Sequence, residues 1–173
     1  SFAVDPRLPK RRLVDPALGG GAMFDLGVYT VEMASYYAGA DPMEWSGFCD
    51  PFCPGTDATA AMALQYPGGV LATLRMGITC EAPVMMTVYG EKGRIELPRF
   101  FVANEARLYE GELLAAQEVQ RFELPEGFCW QIEAVREYLK QGVTESPVVP
   151  AAATIAAAGV LENMMHRFFP DRY

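Results

Sequence analysis

The stretch G-G-G-A-M-F-D-L-G-V-Y-T-V-E-M-A-S-Y-Y-A-G, Gly19 to Gly39, decides how this chain is read. Its apolar run from Ala22 to Ala38 is longer than a typical strand and ends at Gly39, a residue suited to a carboxy-terminal helix cap, so a helix is expected there. Most of its surface is apolar, which predicts a buried helix. Gly27 in its interior costs roughly 1 kcal/mol against alanine, which points to close packing at that position. The polar groups are not scattered. Asp25, Tyr29, Glu32 and Tyr36 follow one another at helical spacing and share one face.

Upstream, Phe2 to Val4 reads as a short strand, followed by a polar, proline-bearing stretch from Asp5 to Leu18 with the basic trio Lys10, Arg11 and Arg12. The triplet Gly19-Gly20-Gly21 is not a G-x-G-x-x-G fingerprint, and no alternating series of helices and parallel strands surrounds it, so it does not make a Rossmann site. Downstream the texture changes to short runs rich in Val, Thr, Tyr and Met, separated by Gly and Pro. Strands are expected near Glu44–Phe48, Ala58–Tyr66, Val70–Gly77, Val84–Tyr89, Arg94–Leu97, Arg107–Tyr109 and Val119–Leu124. Pro67-Gly68-Gly69 and Glu91-Lys92-Gly93 are tight connections, so the strands they join should pair antiparallel. Helices are expected at Trp130–Gln141 and Ala151–Arg167. The layout is an α+β domain: a large, mostly antiparallel open sheet with helices packed on one face.

Composition narrows the function. The chain has 173 residues with a net charge of −8, which fits one domain and disfavours nucleic acid as a partner. No apolar run is long enough to span a membrane, and the basic residues of the amino-terminal stretch follow the apolar ones, the wrong order for a signal peptide. Cys49, Cys53, Cys80 and Cys129 are too irregular for a disulfide framework, so free thiols in a cytoplasmic protein are expected. Cys49, Asp50 and Cys53 make a metal site conceivable, but no second Cys or His pair has the right spacing, so none is expected. His166, the only histidine, is placed to complement the dipole of the last helix.

Asp25 and Tyr29 admit two readings. In one, Asp25 satisfies backbone donors of the glycine turn and Tyr29 is a hydrogen-bonded core residue. In the other they are an acid/base pair facing a cleft. A phenol titrating near 10 would then need a nearby cation, or would serve as a hydrogen-bond donor and relay.

The segment R-R-L-V-D-P-A-L-G-G-G-A-M-F-D-L-G-V-Y, Arg11 to Tyr29, resembles the opening of the carboxy-terminal domain in the glucose-fructose oxidoreductase, inositol dehydrogenase and rhizopine-catabolism oxidoreductase family. A tyrosine at Tyr29 is similar to the branch that holds glucose-fructose oxidoreductase and dimeric dihydrodiol dehydrogenase. Val88 to Pro98 (V-Y-G-E-K-G-R-I-E-L-P) resembles the family's strand, turn and strand, and Phe128 to Pro147 its penultimate helix and following loop.

The resemblance implies a substrate-side and oligomerisation domain spanning residues 1–173, separated from an amino-terminal Rossmann domain. That absent domain carries the family's dinucleotide fingerprint and its Glu-Lys-Pro lysine. NAD or NADP is therefore expected in the full-length parent, with none bound strongly by this chain alone, which should be inactive by itself. Tyr29 would touch a sugar, polyol or diol hydroxyl and help move its proton, Asp25 would orient the pair, and Arg12 could contact substrate or the companion domain. A homo-oligomer through the sheet, a dimer in the branch named above, is the implied assembly. The alternative is a standalone, non-enzymatic dimerisation or ligand-binding module, or a family member that kept the fold and lost catalysis.

Overall fold

The computed structural model describes residues 11–111, 118–121 and 128–171. The expected strand at Phe2–Val4, and the part of the seventh strand beyond Arg121, lie outside them. Two compact units are formed, one by 1–82 with 149–173 and one by 83–148.

The first unit holds α1 (Arg11–Val14), α2 (Ala22–Ala38), β1 (Glu44–Cys53), β2 (Thr56–Gln65), β3 (Leu71–Gly77) and, from the end of the chain, α4 (Ala151–Phe168). The strands form an antiparallel sheet in the order β1-β2-β3. Along β2 the alternation is clear: Ala60, Met62, Leu64 and the following Tyr66 are buried, while Ala61, Ala63 and Gln65 are exposed. The period of two puts one face inward and leaves the other open. Against the inward face lie Ala22, Met23, Val31 and Ala34 of α2 and Ala157, Val160, Leu161, Met164 and Met165 of α4. The buried Tyr66 keeps its hydroxyl satisfied by Ser35 Oγ at 3.2 Å. Thr154 Oγ1 donates to Glu32 Oε1 at 3.0 Å, which ties α4 to α2 and engages one member of the polar face of α2.

Gly27 has the packing role its cost implied. A β-carbon there would stand 2.8 Å from Leu161 Cδ2 and 3.3 Å from Met76 Sδ, so α4 and β3 pack tightly against α2 at this point. Gly39 takes φ +67 and its N–H bonds Ser35 O at 2.9 Å, closing α2 where the sequence placed the cap.

The second unit holds β4 (Met85–Gly90), β5 (Gly93–Pro98), β6 (Glu105–Glu110), β7 (Glu118–Arg121) and α3 (Cys129–Lys140). Its sheet is antiparallel in the order β4-β5-β6-β7. One face carries a ladder of ion pairs: Arg94 to Glu96 at 2.9 Å, Arg107 to Glu105, and Arg121 to Glu105 at 2.9 Å, with Arg94 stacked 3.8 Å above the Tyr109 ring.

The α+β class is as expected, and both tight connections join antiparallel neighbours. The expectation of one large sheet is corrected: the seven strands among the described residues divide three and four. The reason is the join between β3 and β4. Residues 78–84 are not a two-residue hairpin, and β4 pairs with β5 rather than with β3. β1 is also longer than expected and runs through Pro51, where the register slips at Asp50/Pro51 and Pro51/Cys53.

Candidate functional site

The candidate site is the corner where α1 turns into α2. The Asp15 side chain accepts the Ala17 N–H at 3.0 Å and starts a short turn, Pro16–Leu18, that Gly19 closes with φ +70. Gly20 N–H then bonds Asp15 O at 3.0 Å and Gly21 N–H bonds Leu13 O at 2.9 Å, folding α1 back onto the start of α2. A side chain at Gly20 would collide with backbone, since its β-carbon would lie 2.8 Å from Asp15 O and 2.9 Å from Arg12 O. This close approach brings Arg12 to Asp25, and Arg12 Nη2 donates to Asp25 Oδ1. The carboxylate is largely buried and the guanidinium exposed, so the pair is anchored from the Asp25 side. Tyr29 stands one turn along α2 and is 43% exposed. The structure thus pairs Arg12 with Asp25, and Tyr29 follows one helical turn along α2. Of the rest of the polar stripe, Glu32 is engaged by Thr154, and Tyr36 packs edge-on to Tyr37 with centroids 5.4 Å apart.

Sequence reasoning missed Asp57. This β2 residue is fully buried, and both its carboxylate oxygens accept the Met23 N–H, at 3.0 and 3.2 Å. The amino-terminal cap of α2 is Gly21, which has no side chain to offer, so the cap acceptor comes from the sheet. A β-carbon at Gly21, whose φ is +110, would lie 2.4 Å from Asp57 Oδ1, so only glycine leaves room for the carboxylate. Asp57 thus serves the first turn of α2, while the N–H groups of Gly19, Gly20 and Gly21 go to the backbone carbonyls of Pro16, Asp15 and Leu13.

Burial pushes the Asp57 carboxyl up to about 6, against the opposing pull of the Met23 N–H. The folded state therefore binds this proton more tightly than the unfolded chain. The stabilisation from it is full below the ordinary carboxylate range and is lost as pH rises through about 6. In urea unfolding, wild type is expected to lose roughly 2–3 kcal/mol relative to Asp57→Asn between pH 4 and pH 7.5. A difference that does not change across that range would contradict the assignment.

The glycine corner differs from a glycine-rich nucleotide site. In a glycine-rich nucleotide site the helix amino terminus faces a phosphate with open space above the glycines. Here backbone fills the space above Gly20, and a carboxylate fills it above Gly21 and already takes the helix N–H. Among the described residues no group of three or more His, Cys, Asp or Glu is placed to hold a metal ion. Burial, with Asp57 and Asp50 nearby, pushes the Cys49 thiol up to about 11. No helix among the described residues is long and apolar enough to cross a membrane.

A family profile described as the GFO/IDH/MocA C-terminal domain matches residues 2–96. The chain belongs to this family. Among its relatives is the trans-1,2-dihydrobenzene-1,2-diol dehydrogenase of Oryctolagus cuniculus, 34% identical over 162 residues, covering 88% of this chain and 49% of the relative. The enzyme of the same name from Sus scrofa is 31% identical over 166 residues, covering 88% and 48%. The chain thus spans about half the length of these GFO/IDH/MocA relatives. Solved structures agree on the fold. An aldose-aldose oxidoreductase from Caulobacter crescentus, complexed with glycerol, superposes with a TM-score of 0.79 at 21% identity over 99% of this chain and 52% of that one. A levoglucosan dehydrogenase in complex with NADH and levoglucosan does so with 0.74 at 13% identity, over 99% and 55%.

Proposed function

We propose that this chain is the substrate-side half of an NAD(P)-dependent oxidoreductase acting on a sugar, polyol or diol hydroxyl, with Tyr29 and Asp25 as its contribution to catalysis. The observation that carries the reading is the corner itself: an accessible phenol one helical turn from a largely buried carboxylate that an arginine holds in place. The diol dehydrogenases among the relatives support the substrate class, and their greater length leaves room for a dinucleotide-binding domain. The nicotinamide on that domain supplies the hydride acceptor. Tyr29 then bonds the substrate hydroxyl and passes its proton on, with the cation such a phenol needs coming from a companion-domain lysine. Asp25 orients this pair. Arg12 fixes Asp25 and, with 62% of its side chain exposed, still reaches outward to substrate or the companion domain. The test is the native polypeptide. A source-expressed product about twice the 19.0 kDa of this chain, together with an isolated chain that shows no tight NADH or NADPH binding in calorimetry, is expected. A native product of 19.0 kDa would favour the non-enzymatic module instead.

The assembly belongs to the same proposal, a cytoplasmic homodimer formed through the open face of the β1–β3 sheet. Phe48 pairs with Ala61, which pairs with Arg75, and Ser46, Ala63 and Thr73 form the next row, leaving Phe48 at 85% and Leu71 at 74% exposed. Such large apolar groups beside Ala61 and Ala63 suit burial against a second copy. Phe48→Glu is expected to convert a dimer to a monomer in multi-angle light scattering. A wild-type chain that stays monomeric at high concentration would remove the dimer.

A further inference from the structure

We infer that Asp57 is a positioning residue for the Asp25–Tyr29 site: by holding the first turn of α2 it fixes Asp25 against Arg12 and Tyr29. The inference rests on the functional reading of Tyr29 given above and adds a residue to it from outside the helix.

Three observations carry it. The first is connection. Asp57 accepts the N–H of Met23, two residues before Asp25, and the Asp25 N–H closes the same turn onto Gly21 O at 3.2 Å. Asp25 therefore lies in the turn that Asp57 holds, whereas Tyr29 lies one turn deeper. The second is the lack of a local substitute. The cap is Gly21, with no side-chain hydrogen bond of its own, so without Asp57 the first turn depends on water for its free N–H groups. The third is fit. The carboxylate comes so close to Gly21 that no β-carbon is tolerated, so the corner is built around it.

The first turn of α2 is thus held from two sides, by Arg12 on α1 and by Asp57 on β2. The Arg12 guanidinium is exposed, whereas the Asp57 carboxylate is buried. Losing the second lets Asp25 move with the end of the helix. Displacements of this size are felt in the chemical step, because proton transfer needs the groups within hydrogen-bond reach.

The test uses the chain joined to a dinucleotide-binding domain and compares Tyr29→Phe, Asp57→Ala and Asp57→Asn, each checked for folding by circular dichroism. Asparagine keeps an oxygen that can accept the Met23 N–H, and alanine does not. Asp57→Ala is expected to lower kcat about tenfold or more with KM changed less than about threefold, and Asp57→Asn to restore kcat to within about threefold of wild type. A folded Asp57→Ala protein with wild-type kcat, beside a Tyr29→Phe protein that has lost turnover, would overturn the positioning role and leave the functional reading intact. Equal losses in Asp57→Ala and Asp57→Asn would overturn it too, because the acceptor would then not be what matters. Wild-type turnover in Tyr29→Phe would overturn the functional reading, and this inference with it. Should Asp57→Ala not fold, Gly21→Ala reaches the same contact from the other side, its new β-carbon displacing the carboxylate. The same kcat loss at steady KM is expected there, and wild-type kcat would overturn the inference.

Discussion

Tyr29→Phe, in the chain joined to a dinucleotide-binding domain, is expected to lower kcat by about a hundredfold or more while KM changes less than about threefold. The substitution removes one hydroxyl and leaves the ring. The side chain is 43% exposed, so little core packing is at stake and the variant should fold as wild type does. On the proposed reading, what is lost is the group that moves the substrate proton, and positioned proton transfer is worth about 10²–10⁴-fold. A loss confined to KM would mean that Tyr29 only binds substrate, and unchanged kinetics would remove it from the mechanism. Steady-state kinetics with folding verified separates these results.

Leu161→Ala is expected to destabilise the isolated chain by about 2–5 kcal/mol in urea unfolding. Leu161 is 3% exposed and fills the slot at the α2–α4 crossing, with Cδ2 2.8 Å from where a β-carbon on Gly27 would stand. Truncation leaves a cavity between two helices and a sheet that are held apart by their other contacts, so collapse into it is limited. Adding Gly27→Ala to Leu161→Ala should recover part of the loss. The methyl enters the vacated space, and alanine gains roughly 1 kcal/mol over glycine in a helix interior. A Leu161→Ala loss below about 1 kcal/mol would show that the crossing is not the tight contact described.

Both effects trace back to features that were legible in the sequence to different degrees. Gly27 inside an apolar helix pointed to close packing, because an interior glycine has a cost that something must offset, and Leu161 is what it meets. The shared face of Asp25 and Tyr29 followed from helical spacing alone. Asp57 did not follow from any local pattern. It has the same parity in β2 as the exposed Ala61 and Ala63, so alternation would send it outward. The register slips opposite it at Pro51, the alternation fails, and Thr56, Asp57 and Ala58 are all buried. A carboxylate serving a helix thirty-four residues earlier is a tertiary contact, invisible to any window along the chain. The division into two sheets was hidden for a related reason, since strand runs can be read locally but the partner across a long connection cannot. Arg12 was recognised as part of a motif, yet its pairing with Asp25 depended on the tight fold of Gly20 onto the preceding turn.

The most direct measurement of the central claim is nicotinamide reduction, followed by absorbance, by this chain joined to a dinucleotide-binding domain. It would be assayed with NAD+ and NADP+ against a set of sugars, polyols and vicinal diols, beside the isolated chain. Turnover of at least one of these alcohols by the joined protein, and none by the isolated chain, is the result expected. A folded, dinucleotide-bound joined protein that oxidises none of them would contradict the claim and leave this member of the family as a module that kept the fold without the chemistry.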